Sequence, residues 1–167
     1  MINSLPRPHI DMQIQILITT LLLLAVVNLR GPVLSTAMTA SSASVIGTWK
    51  GDSTCTGVRP ACKNEVVVYR FEAVAGKPDV ISWFADKIIE GKREPMGKAE
   101  MRYDEAKGEL SWDFTISQTH GLWQFKASGD TMEGTLILIP NRDVARVVKV
   151  KRVSEKDVPP APASELY

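Results

Sequence analysis

From Val45 to Val153, apolar and polar residues alternate at period two between short turn signals, and no helical stripe of useful length interrupts them. The series opens on Val45-Ile46-Gly47-Thr48-Trp49-Lys50-Gly51, with a tryptophan two residues after a glycine. Glu65 to Val74 predicts a strand with Val67, Tyr69 and Phe71 on one face and Arg70 and Glu72 on the other. The turn Gly76-Lys77-Pro78-Asp79 leads to a strand over Val80 to Ile89, where Ile81, Trp83 and Ala85 compete with Val80, Phe84 and Ile88 for the inner face. Glu90-Gly91-Lys92-Arg93 turns the chain into Met96 to Tyr103, with Gly97, Ala99, Met101 and Tyr103 inward.

The cleanest alternation lies over Glu109 to Ile116, with Leu110, Trp112, Phe114 and Ile116 inside. A turn over Gln118-Thr119-His120-Gly121 precedes a strand carrying Trp123, Phe125 and Ala127. Thr131 to Ile139 and Val144 to Val153 complete the series; on the last, Val148 and Val150 share a face with Arg146 and Arg152. About eight strands joined by short hairpins predict an all-β fold, an up-and-down antiparallel eight-stranded barrel, closed or nearly closed, over residues 44–154. Closure removes both exposed edges of such a meander. An outer-membrane barrel needs an apolar outward band. Here the second face carries Lys, Arg, Asp and Glu, which predicts a soluble barrel.

Ahead of the barrel, Arg7 and His9 precede a largely apolar stretch from Ile14 to Val27, followed by small residues between Ser35 and Ala43. This predicts a signal peptide over residues 1–40, cleaved between about 37 and 43, and a secreted or periplasmic protein; an uncleaved N-terminal anchor is the alternative. No membrane span is expected in the mature chain. Pro159-Pro-Ala-Pro-Ala-Ser marks residues 155–167 as a Pro/Ala-rich tail, disordered by composition. Of 20 basic and 19 acidic residues, Arg7, Arg30 and Asp11 lie in the first 40, so the remainder is neutral. With no basic run longer than Lys149-Val-Lys-Arg152, a nucleic-acid partner is not expected.

In an exported chain, Cys55 and Cys62, enclosing Thr-Gly-Val-Arg-Pro-Ala, predict a structural disulfide across a loop. A metal pair would need further ligands, and the other soft ligand of the mature chain is His120; a redox pair prefers the tighter C-x-x-C spacing.

Gly47-Thr48-Trp49 on the first strand, together with an arginine on the last, resembles the calycin superfamily of lipocalins, fatty-acid-binding proteins and avidins. The resemblance spans most of residues 45–153 and rests on a short motif. It implies that Trp49 packs across the closed end with a late arginine over its ring, Arg152 by position and Arg146 as the alternative. The chain departs from the lipocalin pattern in length and in lacking a C-terminal helix, from fatty-acid-binding proteins in lacking a helical pair, and from avidins in their biotin-contacting residues. Gly47-x-Trp49-x-Gly51 is also similar to nitrobindins, whose haem needs an axial histidine. His120 is the mature candidate.

The alternation collects Tyr69, Trp83, Met101, Trp112, Phe114, Trp123 and Phe125 inside the barrel. Two readings follow: a pocket for a small hydrophobic or aromatic ligand, or a core filled by its own rings, since eight strands enclose little more than their side chains. A third is a secreted interaction or inhibitor module that uses the tied loop 52–64. An enzyme is not expected. Asp86 with Glu90, or Asp104 with Glu105, are the paired carboxylates, and Ser53 and Ser111 lack a histidine–acid arrangement. No cofactor or metal is assigned.

Overall fold

Period-two alternation puts every second side chain on the same face of a pleated strand, so strands of this kind bury one face by curling round it. A computed structural model describes residues 45–163. The expected signal peptide and its cleavage site, and the last four residues of the tail, lie outside the described residues. Eight antiparallel strands follow one another in chain order and close into a barrel: β1 (Gly47–Cys55), β2 (Glu65–Val74), β3 (Lys77–Ile89), β4 (Lys92–Asp104), β5 (Glu109–Ile116), β6 (Thr119–Ser128), β7 (Thr131–Ile139) and β8 (Asp143–Val153). The expected fold class is the observed one.

β1 pairs on one side with β2 and on the other with β8, in a register that sets Trp49 opposite Arg152 and Gly51 opposite Val150. A Cβ on Gly51 would lie 2.1 Å from the Lys149 carbonyl oxygen, so the closing seam requires a glycine there. Trp49 is fully buried and its Nε1 donates to the Val45 carbonyl at 3.0 Å. The Arg152 guanidinium lies 4.2 Å above the indole, donates to the Ile46 carbonyl at 2.6 Å and bonds Asp130 at 3.1 Å. Gly47 has a φ of +126°, and a Cβ there would meet Arg152 Nη1 at 2.9 Å, which explains why a glycine precedes the tryptophan. The arginine over Trp49 is therefore Arg152. Arg146, the alternative, sits opposite Cys55 and Leu136 at the other end of the barrel.

β3 and β4 are longer than the sequence suggested, beginning at Lys77 and Lys92. Their added residues are charged or proline, but a backbone ladder forms whatever the side chains when the strand's outer face is wet. The inner face of β3 belongs to Ile81, Trp83 and Ala85. Phe84 points outward, under the Arg70 guanidinium at 4.4 Å and the Lys98 ammonium at 4.8 Å, and this cover is what allows an aromatic on the outer side. His120, expected in a turn, lies on β6 opposite Thr115 and Ile139; the turn is shorter, between Ile116 and Thr119.

The first residues beyond β8 are ordered against the barrel wall. Glu155–Asp157 form one 3-10 turn, and Val158 is buried. Arg93 anchors this segment. Its Nε and Nη2 meet Asp86 at 2.8 and 2.6 Å, and its Nη1 donates to Glu155 at 2.6 Å; Thr48 also donates to Glu155. Neither Asp86 nor Arg93 exposes its side chain. An Ala/Pro composition does not preclude order when one carboxylate and one valine can be docked. Burial works against the Glu155 charge, but the bonds from Thr48 and Arg93 outweigh it and hold the carboxyl below its ordinary value. A depressed folded-state pKa contributes stability that is present above the unfolded value of about 4.5 and is lost as pH falls through the lower folded value. The strap is thus expected to loosen below about pH 4.5. The Val158 methyl resonances should report this, and Glu155→Gln should remove the pH dependence.

Candidate functional site

At the Trp49 end the interior is filled, with Phe71, Met101, Phe125 and Met132 almost completely buried. Tyr69, Phe71 and Phe125 meet edge to face at 5.7–6.4 Å, a favourable geometry for ring quadrupoles. Towards the other end the same inward rows continue as Trp83, Trp112, Phe114 and Trp123, and there the rings leave space. A cavity of about 290 Å³ is lined by Tyr69, Trp83, Trp112, Phe114, Trp123 and Arg146, with Met96, Gly97, Lys98 and Ile116 on the side of β4 and β5. Five of the seven expected ligand-contacting residues therefore border one space. Met101 and Phe125 do not line it and belong to the packing below.

The strand register explains why this end is open. β4 and β5 pair only through Arg102–Ser111, Tyr103–Leu110 and Asp104–Glu109. Beyond those pairs the two strands diverge, while β5 stays paired to β6 as far as Ile116–Thr119. A bulge between β3 and β4 pairs Ala85 with Gly97 and Asp86 with Pro95, leaving Met96 as the extra residue at the lip of the gap. Met96 and Ile116, one from each diverging strand, are 40% and 59% exposed. The cavity thus reaches solvent between the strands β4 and β5, through the wall.

Trp83 is the hub of the rings, 5.3–6.1 Å from Tyr69, Trp112, Trp123 and Phe125. Trp112 stacks on Phe114 at 4.6 Å, and Trp123 on Phe125 at 5.6 Å. The buried Trp83 Nε1 has no hydrogen-bond partner among the described residues. Burial pushes the Tyr69 phenol well above its ordinary pKa; the Ser53 hydroxyl and Arg146 act against that shift and Glu65 adds to it. Tyr69 is therefore a neutral group at any physiological pH.

Cys55 and Cys62 form the expected disulfide. So short a loop contributes at most about 2–3 kcal/mol through the unfolded state. Its local effect is to fix the segment that carries Arg146's partners: Arg146 donates to Glu65 at 2.6 Å and to the Lys63 carbonyl, with Cys55 Sγ 3.6 Å away. Arg146 also borders a second cavity of about 360 Å³ beneath this loop, with Arg59, Lys63 and Leu136. A usable signal for this residue lay in the alternation, since Arg146 shares the inward face of β8 with Val148 and Val150. Met96, Lys98 and Ile116 were missed because they line the cavity only where β4 and β5 part.

Searches against protein-family models and against curated proteins matched nothing.

The remaining candidates are dispersed. His120 Nε2 lies 2.8 Å from Asp113 on the outer face, both partly exposed, so its ring does not face the cavity. Asp86 is closed in by Arg93, and Glu90 stands in an exposed turn. Asp104 bonds Lys107 at 2.8 Å in the β4–β5 turn, and that bond lowers its pKa. Ser53 is buried beside Tyr69, whereas Ser111 is on the outer face of β5. Among the described residues no group of three His, Cys, Asp or Glu side chains is placed to hold a metal ion.

Proposed function

We propose that this chain is an exported, calycin-like barrel that binds a small hydrophobic or aromatic ligand in the cavity between Trp83, Trp112, Phe114 and Trp123. The observation that supports this reading best is the contrast within one interior: rings packed without space at the Trp49 end, and a ring-lined cavity at the other. About 290 Å³ stands at the lower end of ligand-pocket sizes and suits one or two fused rings better than a long chain. Export is supported by the apolar N-terminal stretch and by a disulfide, a bond that persists in oxidising compartments.

Titration with 2-methylnaphthalene tests the reading. Saturable quenching of tryptophan fluorescence is expected, and Trp112→Ala should weaken binding by about tenfold, the equivalent of about 1.4 kcal/mol of lost ring contact. No saturable change in the intact protein would refute it. The alternative, an interaction or inhibitor module using loop 52–64, is favoured by the exposed Val58 and by the cleft under the disulfide. The two readings separate on a loop graft: replacing residues 56–61 should leave probe binding intact if the interior is the site. The haem reading gains nothing from His120, which faces away from the cavity.

A further inference from the structure

The cavity is not uniformly apolar: Tyr69, Trp83 and Arg146 are among the residues that border it. Trp83 Nε1 and Arg146 Nε are both buried N–H donors on residues that border it, and neither has a hydrogen-bond partner among the described residues. Trp83 as a whole is 5% exposed and the Arg146 side chain 14%. A buried donor without an acceptor costs about 1–3 kcal/mol; both atoms are closed off as the side chains stand, and a small turn of the two side chains towards the cavity would let one bound acceptor satisfy them. Indole nitrogen donates and never accepts, and guanidinium likewise, so the complementary group is an acceptor, and a carboxylate brings two acceptor oxygens and no donor of its own.

The sign of its charge follows from the neighbourhood. Arg146 is paired with Glu65, but it also borders the second cavity together with Arg59 and Lys63, so the cationic groups around Arg146 outnumber the acidic one. The bulk of the lining is aromatic, which suits a flat body.

We propose that the ligand is an aromatic carboxylate, its ring among Trp83, Trp112, Phe114 and Trp123 and its carboxylate accepting from Trp83 Nε1 and Arg146 Nε. This rests on the cavity reading above and specifies its ligand class.

A matched pair of probes separates the two claims. 2-Naphthoate and 2-methylnaphthalene share a ring system and differ in the carboxylate. In the unaltered protein 2-naphthoate should bind at least tenfold more tightly. In ¹⁵N spectra the Trp83 indole N–H, assigned through Trp83→Phe, should move downfield with 2-naphthoate and stay in place with the hydrocarbon. Trp83→Phe keeps a ring and removes the donor, and Arg146→Gln removes the guanidinium; each should narrow the ratio between 2-naphthoate and 2-methylnaphthalene affinity, whatever it does to the affinity for the hydrocarbon itself. Equal affinity for the two probes, or an unmoved Trp83 indole at saturation with 2-naphthoate, would overturn the carboxylate assignment and leave the cavity reading standing. Failure of both probes to bind would overturn the cavity reading itself. The indole measurement needs no substitution at the site, so it decides the matter even if Arg146→Gln unfolds the disulfide loop.

Discussion

Replacing Trp49 with alanine is expected to lower the stability of the barrel by roughly 3–5 kcal/mol, the range for truncating a large buried aromatic. The ring is completely buried, and three separate contacts depend on it. Its area is removed from water. Its Nε1 ties down the Val45 carbonyl. Its face holds the Arg152 guanidinium, a cation–π contact worth about 0.5–2 kcal/mol. Alanine would also leave a void under Arg152 that the hydrogen bonds to Ile46 and Asp130 hold open, since both fix the guanidinium in place. Urea unfolding followed by far-ultraviolet circular dichroism measures the loss directly. A change below about 1.5 kcal/mol would show that the floor of the barrel can collapse onto the gap. Trp49→Phe should recover most of the packing and lose the bond to Val45.

Arg93→Met should be equally severe, again roughly 3–5 kcal/mol, for a different reason. Asp86 and Arg93 are both closed to solvent, and removing the guanidinium leaves a buried carboxylate without its cation. The same change releases Glu155, so the strap beyond β8 should loosen with it. The double substitution Asp86→Leu with Arg93→Met tests the mechanism. Two apolar side chains of similar size are often as stable as a buried ion pair, so the double variant should regain most of the stability lost by the single one. If it does not, the loss came from packing of the long Arg93 side chain and not from the stranded charge.

The barrel was legible because its strands alternate cleanly, and Glu109–Ile116 shows the reason: each inward residue is large and apolar and each outward one polar. The closed end was legible too, since Gly47, Trp49 and Arg152 are all drawn into one contact. What the alternation could not convey was where pairing stops. Nothing in Met96–Met101 or Trp112–Ile116 marks these as segments that part from each other, because the divergence is set by a bulge at Met96 and by the three-pair register of β4 and β5. The site was therefore read as all the large inward side chains of the interior, Met101 and Phe125 included, whereas the cavity takes in only those near the opening between β4 and β5. Asp86 and Arg93 were obscure for a related reason. Asp86 read only as a partner of Glu90 and Arg93 only as a turn residue, and the segment arriving from beyond Val153 is what encloses them.

The seam between β1 and β8 joins the two ends of the domain: Arg152 donates to a carbonyl 106 residues earlier in the chain. A nascent or truncated polypeptide that stops short of Lys149 can form every hairpin from β1 to β7 and still has nothing to lay across the free side of β1. Such a chain exposes two raw strand edges and an uncovered Trp49, which are the features that drive strands of different molecules to pair. Contacts this distant in sequence are also the ones that form slowly. Closure therefore belongs to the last moment of folding, after the whole domain has been synthesised, and this topology builds in a delay before the barrel locks.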